Sequence, residues 1–266
     1  MGCSRKASPV TAGPRVVSLS PSTTEAIAAV GALGLLVGRS RYCDYPPEVS
    51  ALPDVGGYVD PNLEAIVSLS PTLVVGARGP AGASVVDKLD ARKIDTYFPQ
   101  TESIAEILEM ILGIGARVGR RDEADRVKGA IDARVATIEA ATRGLPRVKV
   151  VLLFGIQPIF AAGTKSFADD MLRRAHAENV VVGAGYPALD LEALSALDPD
   201  VILNAAARAG HGGESVPAQA LGWRGLRAVK SGRVVDLTDE TVLRPGPRVA
   251  DGLATLARAI HPGVVV

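Results

Sequence analysis

Leu63-Glu-Ala-Ile-Val-Ser-Leu-Ser-Pro-Thr-Leu-Val-Val75 decides how this chain folds, because it returns as Leu191-Glu-Ala-Leu-Ser-Ala-Leu-Asp-Pro-Asp-Val-Ile-Leu203. Leu-Glu-Ala, a Leu four residues on, the Pro and a closing apolar run fall in register. The offset, from Glu64 to Glu192, is 128 residues of a 266-residue chain. Each copy predicts a helix capped by Asn62 or Asp190, a Pro-containing turn and a buried strand. Two half-length copies mean two similar lobes, since a solenoid needs three or more short repeats.

Outward from the repeat, short β-rich runs alternate with helical stretches. Arg15–Leu19, Thr72–Gly76 and Ile94–Phe98 are strand candidates in the first half. Val148–Phe154, Val201–Asn204 and Arg233–Leu237 are their counterparts in the second. Ser22 with Glu25 three residues later reads as a capping box opening a helix through Ala32. Strands alternating with helices give an α/β fold with parallel sheets. Between the halves, Val127, Ile131, Val135 and Ile138 form one helical stripe within Asp122–Arg143, and Pro146 follows it. That helix, about 33 Å long at about 1.5 Å per residue, suffices to join two lobes. The expected organisation is a polar tether over 1–13, an N-terminal lobe over 14–120, a connecting helix within 121–146 and a C-terminal lobe over 147–266. Two Rossmann-like lobes joined by one long α-helix place a ligand cleft between them.

Composition narrows the function classes. Hydrophobic residues make up 47% and charged residues 22%, enough to bury a core and too apolar for a disordered chain. Lys+Arg and Asp+Glu both number 29, with no basic block, which argues against nucleic acid as a partner. No apolar run approaches the roughly 20 residues of a membrane-spanning helix, and the polar start carries no hydrophobic signal segment. Cys3 and Cys43 form no C-x-x-C pair, so a metal cluster or disulfide framework is a poor reading, although one bridge between them stays open. Gly2-Cys3-Ser4 ahead of a Ser/Pro/Gly tether has the form of a lipidated bacterial N-terminus; an incidental terminal cysteine fits equally well.

A catalytic constellation is missing from the sequence. His176, His211 and His261 lie far apart in the sequence, and no Walker A loop or G-x-S-x-G elbow occurs. Gly113-Ile-Gly115-Ala-Arg-Val-Gly119 only approaches a dinucleotide fingerprint and reads as a Gly-tolerant helix. His211, in Ala209-Gly-His-Gly-Gly213, reads as a solvated loop residue, with a metal contact as the alternative. The aromatics are more telling. Tyr42, Tyr45, Tyr58, Phe160 and Tyr186 fall beyond strands or in loops of both halves. Ligands of open α/β lobes bind outside the carboxyl ends of the strands, where such rings can stack on a large, flat, partly apolar molecule.

Arg41-Tyr-Cys-Asp-Tyr-Pro-Pro-Glu48, Asn62-Leu-Glu64, Gly155-Ile-Gln-Pro-Ile-Phe160 and Arg244-Pro-Gly-Pro-Arg248 resemble the periplasmic binding proteins whose lobes are joined by one long helix. That class serves cobalamin, iron–siderophore and haem import, and the resemblance, closest to its vitamin B12 branch, runs from about Arg15 to His261. It implies a monomeric, non-enzymatic carrier, periplasmic or on the cell surface and anchored there through Cys3 if at all. Nothing would be bound permanently: a corrinoid such as cobalamin would be captured and passed to an ABC permease with its ATPase. It also implies pocket roles for Tyr45, Tyr58, Phe160 and Tyr186, polar ligand contacts from Arg78, Glu240 and Arg244, and permease docking by Glu64 and Glu192. Two departures stand out. Tryptophans are expected at the Tyr58 and Tyr186 positions and near Ala77, whereas Trp223 lies elsewhere; and Gly57-Tyr58 is similar to the haem branch. A haem or ferric-siderophore carrier is therefore the near alternative. A metal-cluster oxidoreductase component on a similar scaffold is the alternative from another class.

Overall fold

The structure, a computed structural model, describes residues 13–57, 59–78, 82–207 and 213–266. The first lobe runs β1 (Val16–Ser18), α1 (Pro21–Ala29), β2 (Leu36–Arg39), α2 (Leu63–Ser68), β3 (Leu73–Val75), α3 (Gly82–Asp90), β4 (Asp95–Tyr97) and α4 (Ile104–Val118). Its four strands form one parallel sheet in the order β2-β1-β3-β4. β1 and β3 are buried along their whole length, as strands covered on both faces must be.

After α5 (Arg121–Thr142) the second lobe repeats the plan. It runs β5 (Val148–Ile156), β6 (Ile159–Ala161), α6 (Phe167–Arg174), β7 (Ala177–Asn179), β8 (Ala188–Leu189), α7 (Leu191–Leu197), β9 (Val201–Asn204), α8 (Arg227–Lys230), β10 (Val234–Asp236) and α9 (Val249–Ile260). The parallel strands β7, β5, β9 and β10 lie side by side in that order, matching the first sheet strand for strand. β6 and β8 add an antiparallel extension beside the far half of β5. The repeat holds to the backbone: Asn62 Oδ1 accepts from the Ala65 N–H at 3.0 Å and Asp190 Oδ1 from the Ala193 N–H at 2.7 Å. Ser70 and Asp198, equivalent residues before the two prolines, share positive φ angles of 47° and 43°.

α5 is one unbroken helix of 22 residues that buries Ile131, Val135 and Ile138 against α4 and α9. The Gly-rich stretch is helix, as expected. Gly119 closes α4 with a left-handed φ of 70°, and a side chain at Gly115 would strike Ala124 of α5. The inner faces of both sheets share one apolar core, in which Val16 and Val75 belong with Leu152 and Val201 through α4, α5 and α9. Smaller clusters line the outer face of each sheet.

Two expectations need correction. α1 is capped by Ser20, whose Oγ accepts from the Thr23 N–H at 3.4 Å, and it ends at Ala29. Ser22 is buried inside the helix, and Glu25 closes no capping box because its carboxylate is engaged with arginines of the other half. Phe160 is a strand residue of β6 rather than a loop residue.

Candidate ligand cleft

Five charged side chains from both halves of the chain meet where α1 faces the segment leading into α9. Glu25, only 3% exposed, points out of α1. Arg248 grips it with two donors, Nε to Oε2 at 2.9 Å and Nη2 to Oε1 at 2.7 Å. Arg244 Nη1 donates to the same Oε1 at 2.8 Å and to Asp44 Oδ1 at 2.8 Å. Glu240 bridges the pair, Oε2 to Arg244 Nη2 and Oε1 to Arg248 Nη2, each at 2.9 Å. The Pro-Gly-Pro between the arginines lets this segment lie close over α1: the Gly246 Cβ position is 3.6 Å from Ser22 Cα. Bidentate, charge-assisted bonds of this kind are the strong ones.

The electrostatics follow from this clasp. The carboxylate hydrogen bonds from Glu25 hold the Arg248 guanidinium well above its ordinary value against the opposing effect of burial. Burial also opposes the charge on Arg244, but hydrogen bonds from Asp44 and Glu25 outweigh it and raise its pKa. Burial pushes the Asp44 carboxyl up, but its bond to Arg244 and the charges of Arg244 and Arg248 together outweigh burial and hold it below the usual range. Tyr45 lies under Arg248, whose Cζ is 4.1 Å from the ring centroid, a cation–π contact. The ring remains 43% exposed, and with Glu25, Ala28, Ala29, Pro247 and Arg248 it lines a hollow of about 370 Å³.

A second junction joins the lobes at the amino ends of α4 and α6. Glu102 Oε2 accepts from the Phe167 N–H of α6 at 3.0 Å, and Asp170 Oδ2 from the Ile104 N–H of α4 at 2.9 Å. Each lobe thus caps a helix of the other. Tyr186 stands edge-on to Phe154, with ring centroids 4.9 Å apart. Burial, and then the Glu102 carboxylate, push its phenol up to about 12.

Of the residues singled out in the sequence, Tyr45, Glu240 and Arg244 come together in the clasp. Phe160 and Tyr186 project half-exposed from the second lobe, at 40% and 46%. Arg78 is exposed just beyond β3, its N–H donating to the Pro99 carbonyl at 3.3 Å. Glu64 and Glu192 are exposed in the first turns of α2 and α7. Tyr58, His211 and Cys3 lie outside the described residues. Glu25, Asp44, Arg248, Glu102 and Asp170 were not singled out as site residues, although Asp44 and Arg248 sit inside the motifs quoted above. Two arginines four apart across Pro-Gly-Pro were the available signal.

Among the described residues no cluster of His, Cys, Asp and Glu could hold a metal ion, and no helix is long and apolar enough to cross a membrane. The family model for periplasmic binding proteins matches residues 16–241. The chain belongs to the periplasmic binding protein family. Among its relatives is an uncharacterised ABC transporter substrate-binding lipoprotein of Bacillus subtilis, 29% identical, the match covering 93% of this chain and 80% of the relative. The vitamin B12-binding protein of Salmonella typhimurium is 29% identical over 94% of this chain and 91% of its own length. Among solved structures, the periplasmic haem-binding protein of a Roseiflexus species superposes with a TM-score of 0.82 at 25% identity, covering 94% of this chain and 98% of that one. The paired sheets and the single connecting helix are thus those of two-lobed solute-binding proteins.

Proposed function

We propose that this member of the family captures a corrinoid, cobalamin or a close analogue, between its lobes and delivers it to an ABC permease with its ATPase. The observation that carries the reading is the set of half-exposed aromatic rings, Tyr45 from the first lobe and Phe160 and Tyr186 from the second. Large apolar rings kept partly open to solvent at the edge of a cleft are stacking surfaces for a flat ligand. The vitamin B12-binding relative supports the same ligand. Arg78 and Tyr58 are proposed to complete the contacts. The chain acts as a carrier and not as a catalyst, works as a monomer in the periplasm or at the cell surface, and is tethered there through Cys3 if that residue is lipidated.

Delivery is assigned to Glu64 and Glu192. Their helices are already capped by Asn62 and Asp190, so the exposed carboxylates are available to permease arginines. Glu64→Ala with Glu192→Ala is expected to abolish uptake while leaving ligand affinity unchanged; normal uptake by the double variant would remove the docking assignment.

The second reading, haem, is favoured by the Roseiflexus haem-binding structure. Incubation with cobalamin, cobinamide, haemin or ferric siderophores, followed by desalting and an absorbance spectrum, separates the two. Retained corrinoid bands are expected. Retention of haemin or a siderophore with no corrinoid would overturn the ligand assignment.

A further inference from the structure

Arg244 and Arg248 are groups an acidic ligand would seek, and most of their donors are already engaged. Arg244 commits Nη1 to Glu25 and Asp44, and Nη2 to Glu240. Arg248 commits Nε and Nη2 to Glu25 and Glu240, and its face lies against Tyr45. Three carboxylates against two guanidinium groups leave the cluster with one net negative charge. Glu25 is the central member: one of its oxygens serves both arginines, where Glu240 gives one oxygen to each, and it is the most enclosed, its side chain 2% exposed against 34% for Glu240 and 60% for Asp44. An enclosed carboxylate so held cannot swing aside for a competing anion, and its charge is weakly screened.

We infer that Glu25 is a specificity-determining residue that bars ligands with free carboxylates from the cleft by keeping Arg244 and Arg248 occupied. It rests on the reading that the cleft takes a tetrapyrrole. A ring edged by uncharged amides then fits, while a ring bearing ionised propionates meets a cluster of its own sign. With Glu25 neutral the cluster carries no net charge, and an arginine donor is released to an incoming carboxylate.

The test compares haemin with its dimethyl ester, which share ring and iron and differ only in free carboxylates, so general damage to the cleft cancels in the affinity ratio. The unsubstituted protein is expected to bind the diacid no better than the diester. Glu25→Gln is expected to shift the ratio roughly tenfold towards the diacid, an effect of one unit charge at short range, and Glu25→Asp to restore the original ratio. Asp44→Asn, at an exposed position, is expected to move it the same way by less, and it decides the matter if Glu25→Gln does not fold. A tenfold preference of the unsubstituted protein for the diacid overturns the inference, as does an unchanged ratio in the deciding variant. Corrinoid retention with an unchanged ratio ends this inference and leaves the proposed function standing. Haemin retention without corrinoid, with the expected ratios, does the reverse, and retention of no tetrapyrrole ends both.

Discussion

The two copies of the repeat and the lobe junction use acidic residues in opposite ways. In the repeat, α2 and α7 present the same unit twice: a capping amide or carboxylate, an exposed glutamate two residues later, and a turn in which Ser70 and Asp198 share a left-handed conformation. At the junction nothing repeats. Glu25 and Asp170 are buried and each binds two arginines, and Glu102 caps a helix of the opposite lobe. An exposed carboxylate contributes little to folding and stays available to a partner. A buried one must be fully paired, and so becomes part of what holds the lobes together.

The sharpest way to break this comparison is to remove a junction carboxylate. Glu25→Ala or Asp170→Ala would remove the shared acceptor of several charge-assisted hydrogen bonds and is expected to lower stability by about 3 kcal/mol in urea unfolding; a loss no larger than at the caps of α2 and α7 would dissolve the distinction. The caps of α2 and α7 come next. Asn62→Ala and Asp190→Ala are each expected to cost about 0.5–2 kcal/mol, and by similar amounts. Widely unequal costs would show that the copies have diverged energetically. Glu64→Ala and Glu192→Ala should each cost only about 0.3–1 kcal/mol of helix-end stabilisation. Being on separate lobes, the two losses should add in the double variant, and any excess in a thermal melt would reveal coupling between the two copies.

The smallest effect is expected at His261, buried beside the junction of α6 and α9 with its ring nitrogen 3.0 Å from the Ala175 carbonyl. Burial, and then the charges of His176 and Arg233, push its pKa below 6.5. The unfolded chain therefore binds this proton more readily than the folded one. The stability due to the neutral ring is complete above about pH 6.5 and declines as the pH falls towards the lowered folded value. Melting curves between pH 7.5 and 5 should show that decline, and His261→Gln should flatten it; a variant with the same slope would place the titration elsewhere.

What was legible in the sequence shares one physical character. The strand candidates at 72–76, 148–154 and 201–204 are continuous apolar runs because parallel strands are covered on both faces, and each became a strand. β2 escaped notice because Gly38 interrupts a run of only four residues on a half-buried edge. β6 and β8 are short antiparallel additions outside the parallel plan, formed by pairing beside β5. The site was half legible. Tyr45, Glu240 and Arg244 were picked out, whereas Glu25 was assigned to a helix cap that Ser20 supplies instead. Ser22 and Glu25 have the right spacing for a capping box, and local spacing cannot show that Glu25 faces inward.

The sequence by itself determined the two-lobed plan, the connecting helix, the repeated motif and its caps. Within each copy these are rules of neighbours, in which period, cap, proline and apolar run follow from local backbone geometry and burial, and the return of the copy 128 residues later gives the lobes. Only the tertiary structure decided the junction. Glu25 and Arg248 are 223 positions apart, Asp44 and Arg244 are 200 apart, and Asp170 and Ile104 are 66 apart. No local pattern encodes such pairs, because any of the many arginines could satisfy a given carboxylate until packing of the shared core excludes water and leaves one partner within reach.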